Sequence, residues 1–441
     1  MRAEEVRQIW ARLLKAGPEL AWVAVGQGTA VLGSLLGVRL LTGVLPPGPY
    51  GELALGLTAA MLAQQTLLSP LSGASLRFFA AAVESGRQTA FFRAMAGLMA
   101  RATAVLAAGA ALLVVSLAAT GRSKWAALAA LALLFALLLG YCSALDGFQN
   151  AARHRRVVAW HDGIAPWLRF FAAVAFVRIL GPASWAAMLG YAAATSLVLA
   201  SQSAFFASHV RSRGAVGAPA AGPEVREWTG RIKAYAWPFM TWGVFSWAQL
   251  AAARWALETF ATTREVGLYA VLYQLGYFPM SLVSGLLSQL VSPVIFERAG
   301  DGSDPARVRD ARRFVQGLVL AVLILSGLAA VVALLLHGWV FSLLVDVRYR
   351  EVSPLLPWMV LSGGLFAAGQ TSTLSVLSGS SARALVAPKI VTAVVGVGLA
   401  FGGAAKGALP GVVFAGLAAS FVYCVWTLIL AGRVEGRVAN G

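Results

Sequence analysis

Three arginines stand inside long apolar runs of this chain: Arg39 in "GVRLLTGVLPPGPYGELALG", Arg169 in "IAPWLRFFAAVAF" and Arg254 in "AQLAAARWALETF". A charge near the centre of a bilayer costs about 2.5–3.5 kcal/mol on insertion scales, so such residues face a polar cavity or a partner. A guanidinium keeps its charge and donates from a planar fork, which suits the paired oxygens of a diphosphate. The competing reading for Arg39 is snorkelling, because it lies about two turns from the end of its run. Lys389, one turn into its run, has the same two readings. Asp162 and His161 form a candidate coupling pair, since imidazole titrates near neutral pH. Neighbours in sequence do not share a helix face, however, and Asp162 precedes Arg169 by two turns, a long spacing for an ion pair. Glu52 and Asp146 fall at the ends of apolar runs and read as solvated.

The elements that must position these groups are membrane helices. Of 441 residues 59% are hydrophobic and 12% charged, too little charge to cover a soluble protein of this length. Mean hydropathy is +0.75. Runs of about twenty apolar residues recur from end to end, each long enough to span a hydrocarbon core. Twelve spans are predicted, at 19–45, 49–76, 94–119, 125–146, 159–182, 184–208, 234–257, 267–295, 314–336, 354–379, 385–405 and 408–431. The fold class is all-α and polytopic.

Charge sets the expected topology. With the N-terminus cytoplasmic, 25 of the 35 Lys and Arg residues fall in inside segments and 7 in outside ones, so both termini are expected in the cytoplasm. The net charge of +17 is thus a topology signal that anionic headgroups satisfy, and no nucleic-acid partner is expected. Residues 1–18 carry acids beside bases and put Val6, Ile9, Trp10, Leu13 and Leu14 at helical spacing, an amphipathic surface segment and not a signal peptide. Cys142 and Cys424 are isolated thiols. The chain has no G-x-x-x-x-G-K-[ST] loop and no ligand cluster for a metal, so no cofactor is expected. Outer loops are too short for a soluble catalytic domain, and the chain reads as a non-enzyme.

The longest polar connection, 209–233, is rich in Gly, Ala and Pro and is predicted to be a cytoplasmic linker between lobes of six helices at 19–208 and 234–432, with a tail at 433–441. The halves resemble each other. "LPPGPYGELALGLTAAMLAQQTLLSPLSG" aligns with "ATTREVGLYAVLYQLGYFPMSLVSGLLSQ" at an offset of 216, matching Gly51 to Gly267, and Arg39 lies one residue from the register of Arg254. Two pseudo-symmetric lobes around a central cavity are expected. Pro46, Pro47 and Pro49 with Gly48 make a tight turn between the first two spans, and Tyr50 suits the interfacial aromatic belt. Gly33 and Gly37, and the pairs Gly398/Gly402 and Gly403/Gly407, are expected to let helices pack closely.

Three of these stretches carry a family resemblance. "RLLTGVLPPGPYGELAL" looks like the Arg-x-Leu-x-x-x-x-Gly-x-x-x-Tyr-Gly pattern that joins spans one and two in polysaccharide-biosynthesis flippases. "REVGLYAVLYQLGYFPMSLVSGLLSQLVSPVIFE" is similar to their eighth span, and "ALDGFQNAARHRRVVAW" resembles their loop between spans four and five. These proteins belong to the multidrug/oligosaccharidyl-lipid/polysaccharide (MOP) exporter superfamily. The resemblance implies a two-lobed bundle in the bacterial inner membrane that moves undecaprenyl-diphosphate-linked oligosaccharide to the outer leaflet. It also implies membrane lipids and polysaccharide polymerase or glycosyltransferase machinery as partners. Arg39, Arg169, Arg254 and Lys389 would then line a cationic binding site. Two features depart from the pattern: many members have fourteen spans, and the acid that multidrug members carry in span one is missing beyond Glu19. A cation-coupled multidrug exporter of the same superfamily is the alternative.

Overall fold

The computed structural model describes residues 17–212, 222–299, 305–378 and 386–439; the expected amphipathic segment lies almost wholly outside them. Every regular element among these residues is a helix. In chain order they are α1 (Gly17–Val44), α2 (Pro47–Glu84), α3 (Gln88–Ala119), α4 (Ser123–Ala151), α5 (Arg155–Leu180), α6 (Ser184–Ser212) and α7 (Gly222–Phe260). Then α8 runs through Thr263–Leu272, a π-helical turn at Tyr273–Tyr277 and Phe278–Ala299, followed by α9 (Pro305–Leu344). A 3₁₀ stretch, Val347–Leu355, leads into α10 (Leu356–Ser378), and α11 covers Val386–Ala439. Helix α2 carries its own π-helical turn at Gln64–Leu68.

Among the described residues ten helices are long and apolar enough to cross a membrane. They include α11 as one segment, although non-helical backbone at Gly407 and Ala408 divides it, and they do not include α7. Large apolar side chains are left uncovered, among them Leu112, Ile179 and Leu335 at 74%, 78% and 75% exposure. Such surface suits lipid, where the backbone must satisfy itself within helices. This is a multi-pass membrane protein.

The chain forms two compact units. One comprises the described residues up to Leu45 together with Gly56–Trp247; the other comprises Pro46–Leu55 and the chain from Ala248 onward. The units therefore part inside α2 and inside α7, not at a linker. Residues 222–233, expected as part of a flexible connection, are the first turns of α7. Glu224 favours the positive end of the helix. Trp228, Ile232 and Ala236, spaced by four, bury one face at 3%, 0% and 1% exposure. Trp228 packs edge-on against Phe91 at 5.2 Å between ring centroids and against Phe78 at 6.1 Å. Outside the core, Arg87 pairs with Glu227 at 3.1 Å and Glu224 at 3.8 Å. Gly, Ala and Pro content suggested a linker, but the apolar stripe decided the structure.

In the first unit α1 lies along α5. A Cβ at Gly33 would strike the Trp167 ring and one at Gly37 the Phe170 ring, so these glycines set the approach as expected. Trp167 Nε1 donates to the Thr29 carbonyl at 2.9 Å. In the second unit Gly403 and Gly411 face each other across the break in α11, whereas Gly398, Gly402 and Gly407 meet nothing within 4 Å; those three are not packing glycines. The core there joins Ile295, Ala311, Val315, Ala367, Ala368 and Cys424.

The second unit also contains the crossing of α2 with α8. A Cβ on Gly51 would overlap the Thr263 carbonyl oxygen, and one on Gly267 would overlap that of Pro47. Each glycine thus meets the carbonyl four residues before the other, a pattern unchanged when the two helices are exchanged at the offset of 216. Helix starts at Pro47 and Thr263 keep the same offset. Tyr50 is not at an interface with headgroups: it is 8% exposed and lies edge-on to Tyr349 at 5.8 Å.

Candidate functional site

Arg169 belongs to the first unit. It projects from α5 toward α4, where its guanidinium stands 5.8 Å from the Phe135 ring centroid. Its Nε is buried with no hydrogen-bond partner. Asp146, Asp162, Cys142 and Tyr191 lie within electrostatic range. Among the described residues no carboxylate comes within 4 Å of it, in keeping with the long spacing from Asp162. Two carboxylates nevertheless surround this one cation.

Asp146 is half-buried and accepts from Gln202 Nε2 at 2.8 Å on its Oδ1. Sequence position alone had made it a solvated end residue. The signal that would have found it is the fully buried glutamine on α6, which cannot be read without knowing that α4 and α6 pack together. The His161 imidazole is held by groups other than Asp162. The imidazole Nε2 sits 3.1 Å from Ser201 Oγ and Nδ1 2.8 Å from the Val157 carbonyl, while Asp162 is exposed.

Arg254 belongs to the second unit and has a different setting. It stands over the Tyr273 ring at 5.0 Å from the centroid, a geometry worth about 0.5–2 kcal/mol. Tyr50 and Tyr269 also lie within its electrostatic range. Its Nε is buried without a hydrogen-bond partner, and among the described residues no ion pair within 4 Å reaches it. Glu258, one turn on, instead accepts from Thr263 Oγ1 at 3.1 Å.

Tyr273 begins an aromatic ladder. Tyr269, Tyr273 and Tyr277, spaced by four on α8, have successive centroid distances of 6.3 and 5.0 Å. Tyr277 continues to Phe366 at 5.8 Å, and Phe366 to Tyr423 at 5.2 Å. The π-helical turn carries Tyr273 and Tyr277, a distortion that recurs at functional positions. Beside the ladder lies a cavity of about 80 Å³, lined by the three tyrosines with Gln249, Ser362 and Ser420. The Ser362 and Ser420 hydroxyls are 3.1 Å apart. Phenol and serine hydroxyls donate as well as accept. An uncompensated guanidinium beside such a lining suits an anionic ligand rich in hydroxyls. The repeated tyrosines in "GLYAVLYQLGY" were visible in the sequence, but their link to Arg254 was not.

Arg39 is exposed on α1, on the face that carries Leu32, Leu36 and Leu40. At the offset of 216 its counterpart is Trp255, itself 38% exposed, and not Arg254. Lys389 is half-buried in the first turn of α11, and its carbonyl accepts from Thr392 Oγ1 at 3.3 Å. Arg39 and Arg169 belong to the first unit, Arg254 and Lys389 to the second.

No protein-family profile matches the chain. No curated protein matches it either. Solved structures do. A multidrug-resistance MATE transporter of the MOP superfamily, in an inward-facing conformation, superposes with TM-score 0.67 at 13% identity, over 95% of this chain and 99% of that one. The lipid II flippase MurJ, in an inward closed conformation, gives 0.68 at 12% identity over 94% and 89%. A MOP transporter from Pyrococcus furiosus, described as having a binding pocket of reversed polarity, gives 0.58 at 12% over 95% of each. At nearly full length, this chain has the fold shared by MOP superfamily transporters, and those neighbours are transporters and flippases, not enzymes.

Proposed function

We propose that this chain moves an undecaprenyl-diphosphate-linked oligosaccharide from the inner to the outer leaflet of a bacterial inner membrane by alternating access. The product would feed polymerase or glycosyltransferase machinery that assembles surface polysaccharide. Twelve spans with both termini cytoplasmic fit this reading if α7 spans and α11 crosses twice, once on each side of Gly407 and Ala408.

The observation that carries the reading is Arg254. It is a permanent cation, held over Tyr273 without a carboxylate partner among the described residues, beside a hydroxyl-lined cavity. Diphosphate oxygens would complete its donor fork, and sugar hydroxyls match tyrosine and serine partners. Arg39 and Lys389 would contribute charge along the route. Arg169 contributes less, because Asp146 and Asp162 offset it.

The multidrug-exporter reading is supported equally by the fold neighbours, which include a MATE transporter, and by the pair Asp146 and Asp162, since cation coupling needs a titratable carboxylate. Mass spectrometry of polyprenyl-linked intermediates separates the two. Cells lacking the chain should accumulate one polyprenyl-diphosphate oligosaccharide, which wild type clears and Arg254→Gln does not. An unchanged lipid pool with altered sensitivity to cationic drugs would replace the flippase reading with the exporter.

A further inference from the structure

Asp146 takes no part in the anion chemistry assigned to Arg254. It stands where α4, α5 and α6 meet. Cys142, Ala165 and Val198, one from each helix, form a small apolar core with Leu168 and Leu199 around them. One helical turn along from that core the residues become polar: Asp146 on α4, His161 and Asp162 on α5, Ser201 and Gln202 on α6.

Gln202 is 1% exposed. Its Nε2 donates to Asp146 Oδ1 at 2.8 Å, while its Oε1 is buried with no partner. One turn beyond Asp146, Gln149 is 2% exposed, and neither of its amide atoms has a partner. An ionised carboxylate only accepts hydrogen bonds, whereas a protonated one has an O–H to donate. A guanidinium in the place of Gln202 would serve the ionised form alone. A primary amide serves both: Nε2 donates to the ionised group and, after a half-turn of the amide, Oε1 accepts from the protonated one. The unused oxygen is therefore the acceptor that a proton on Asp146 requires.

The charged surroundings fit the same role. Asp162 and Arg169, both from α5, lie within electrostatic range of Asp146, and from α4 itself Cys142 does too. From α6 the facing group is the neutral Gln202. Helices α2 and α3 reach α4 through the neutral pairs Ser72 with the Ser143 carbonyl and Thr103 with Tyr141. His161 lies beside Asp162 and is held at Ser201. With Asp146 and Asp162 both ionised, two negative charges oppose one positive. A proton on Asp146 leaves Arg169 balanced by Asp162 alone.

We propose that Asp146 and Gln202 form a proton-exchange site at the α4–α5–α6 junction, with the Gln202 amide turning to match the protonation state of Asp146. Infrared difference spectroscopy on acidification of the full chain, reconstituted in liposomes of bacterial phospholipid, tests this without any transported substrate. A carboxylic C=O band should appear in wild type, vanish in Asp146→Asn and persist in Asp162→Asn. Gln202→Leu should keep the band but move it, because the acid loses its acceptor. This variant carries the test if Asp146→Asn fails to fold. A band that survives Asp146→Asn, disappears only in Asp162→Asn, or stays in place in Gln202→Leu would overturn the proposal. Absence of any band in wild type would do so too, and would leave the flippase reading untouched.

Discussion

The crossing of α2 and α8 gives the sharpest test of how the second unit is held together. Gly51 and Gly267 are both buried, and a Cβ on Gly51 would overlap the Thr263 carbonyl oxygen and lie 2.9 Å from the Gly267 nitrogen. A Cβ on Gly267 would overlap the Pro47 carbonyl oxygen and lie 3.0 Å from the Gly51 nitrogen. These are backbone atoms, so no rotamer change relieves the overlap and the helices must separate by about 1 Å. Overpacking of this kind costs about 1–3 kcal/mol, sometimes more. Gly51→Val belongs at the upper end, near 3 kcal/mol, because valine recovers almost none of the helix-propensity gain that alanine would. Gly285 is the internal control: it lies in the same α8, is exposed, and a Cβ there meets nothing within 4 Å. Gly285→Val should therefore stay within about 0.5 kcal/mol of wild type.

Denaturant titration of the purified protein in mixed micelles, followed by tryptophan fluorescence, reads the difference. Because each glycine abuts the backbone of the other, separation forced by one substitution makes room for the second. Gly51→Val with Gly267→Val should cost clearly less than the sum of the single variants. If Gly51→Val is as mild as Gly285→Val, or if the double variant is additive, the reciprocal crossing is not what holds these helices together.

Other positions give further tests. Trp228→Ala empties a site that is 3% exposed among Phe78 and Phe91, at a cost of about 3–5 kcal/mol; hydrogen exchange should rise over 222–236, and unchanged protection there would mean that these turns do not depend on the ring. Ala408 has φ 47° and ψ −130°, so Ala408→Gly should relieve about 1 kcal/mol of strain and raise the thermal midpoint. Arg169 and Arg254 should respond differently to glutamine. Arg169→Gln leaves Asp146 and Asp162 facing each other without a cation and should lower stability, whereas Arg254→Gln should lose no more than the cation–π contact with Tyr273, about 0.5–2 kcal/mol, and abolish clearance of the lipid intermediate. Equal stability losses in the two variants would contradict the division between them.

Membrane residence, all-helical class and the repeat offset were legible in the sequence because each follows from local pattern. Apolar run length reports a span directly, and the offset of 216 reappears in the starts of α2 and α8 and in the Gly51–Gly267 crossing. Residues 222–233 were misread because composition was weighed above periodicity: Gly and Pro sit upstream, but Trp228, Ile232 and Ala236 already mark a buried helix face. Tyr50 and Asp146 were misread for another reason. Their surroundings are made by distant segments, Tyr349 in one case and Gln202 in the other, and no pattern within their own helices records those partners.

The same limit applies to the arginines, with consequences for function. Arg39, Arg169 and Arg254 look alike in the sequence, each a lone cation in an apolar run, and adding their charges suggests one strongly cationic cavity. The structure separates them by their neighbours. Arg169 has Asp146 and Asp162 within electrostatic range, so much of its field is spent inside the protein. Arg39 keeps company with exposed leucines, and its counterpart in the other repeat is Trp255. Arg254 stands over the Tyr273 ring, and Tyr273 lines a cavity with Tyr269, Tyr277, Ser362 and Ser420. What matters for an anionic ligand is the charge left over after internal pairing, because a guanidinium already balanced by carboxylates gains little from a phosphate. By that measure the proposed anion site belongs with Arg254 in the second unit, and the proposed proton exchange with Asp146 in the first.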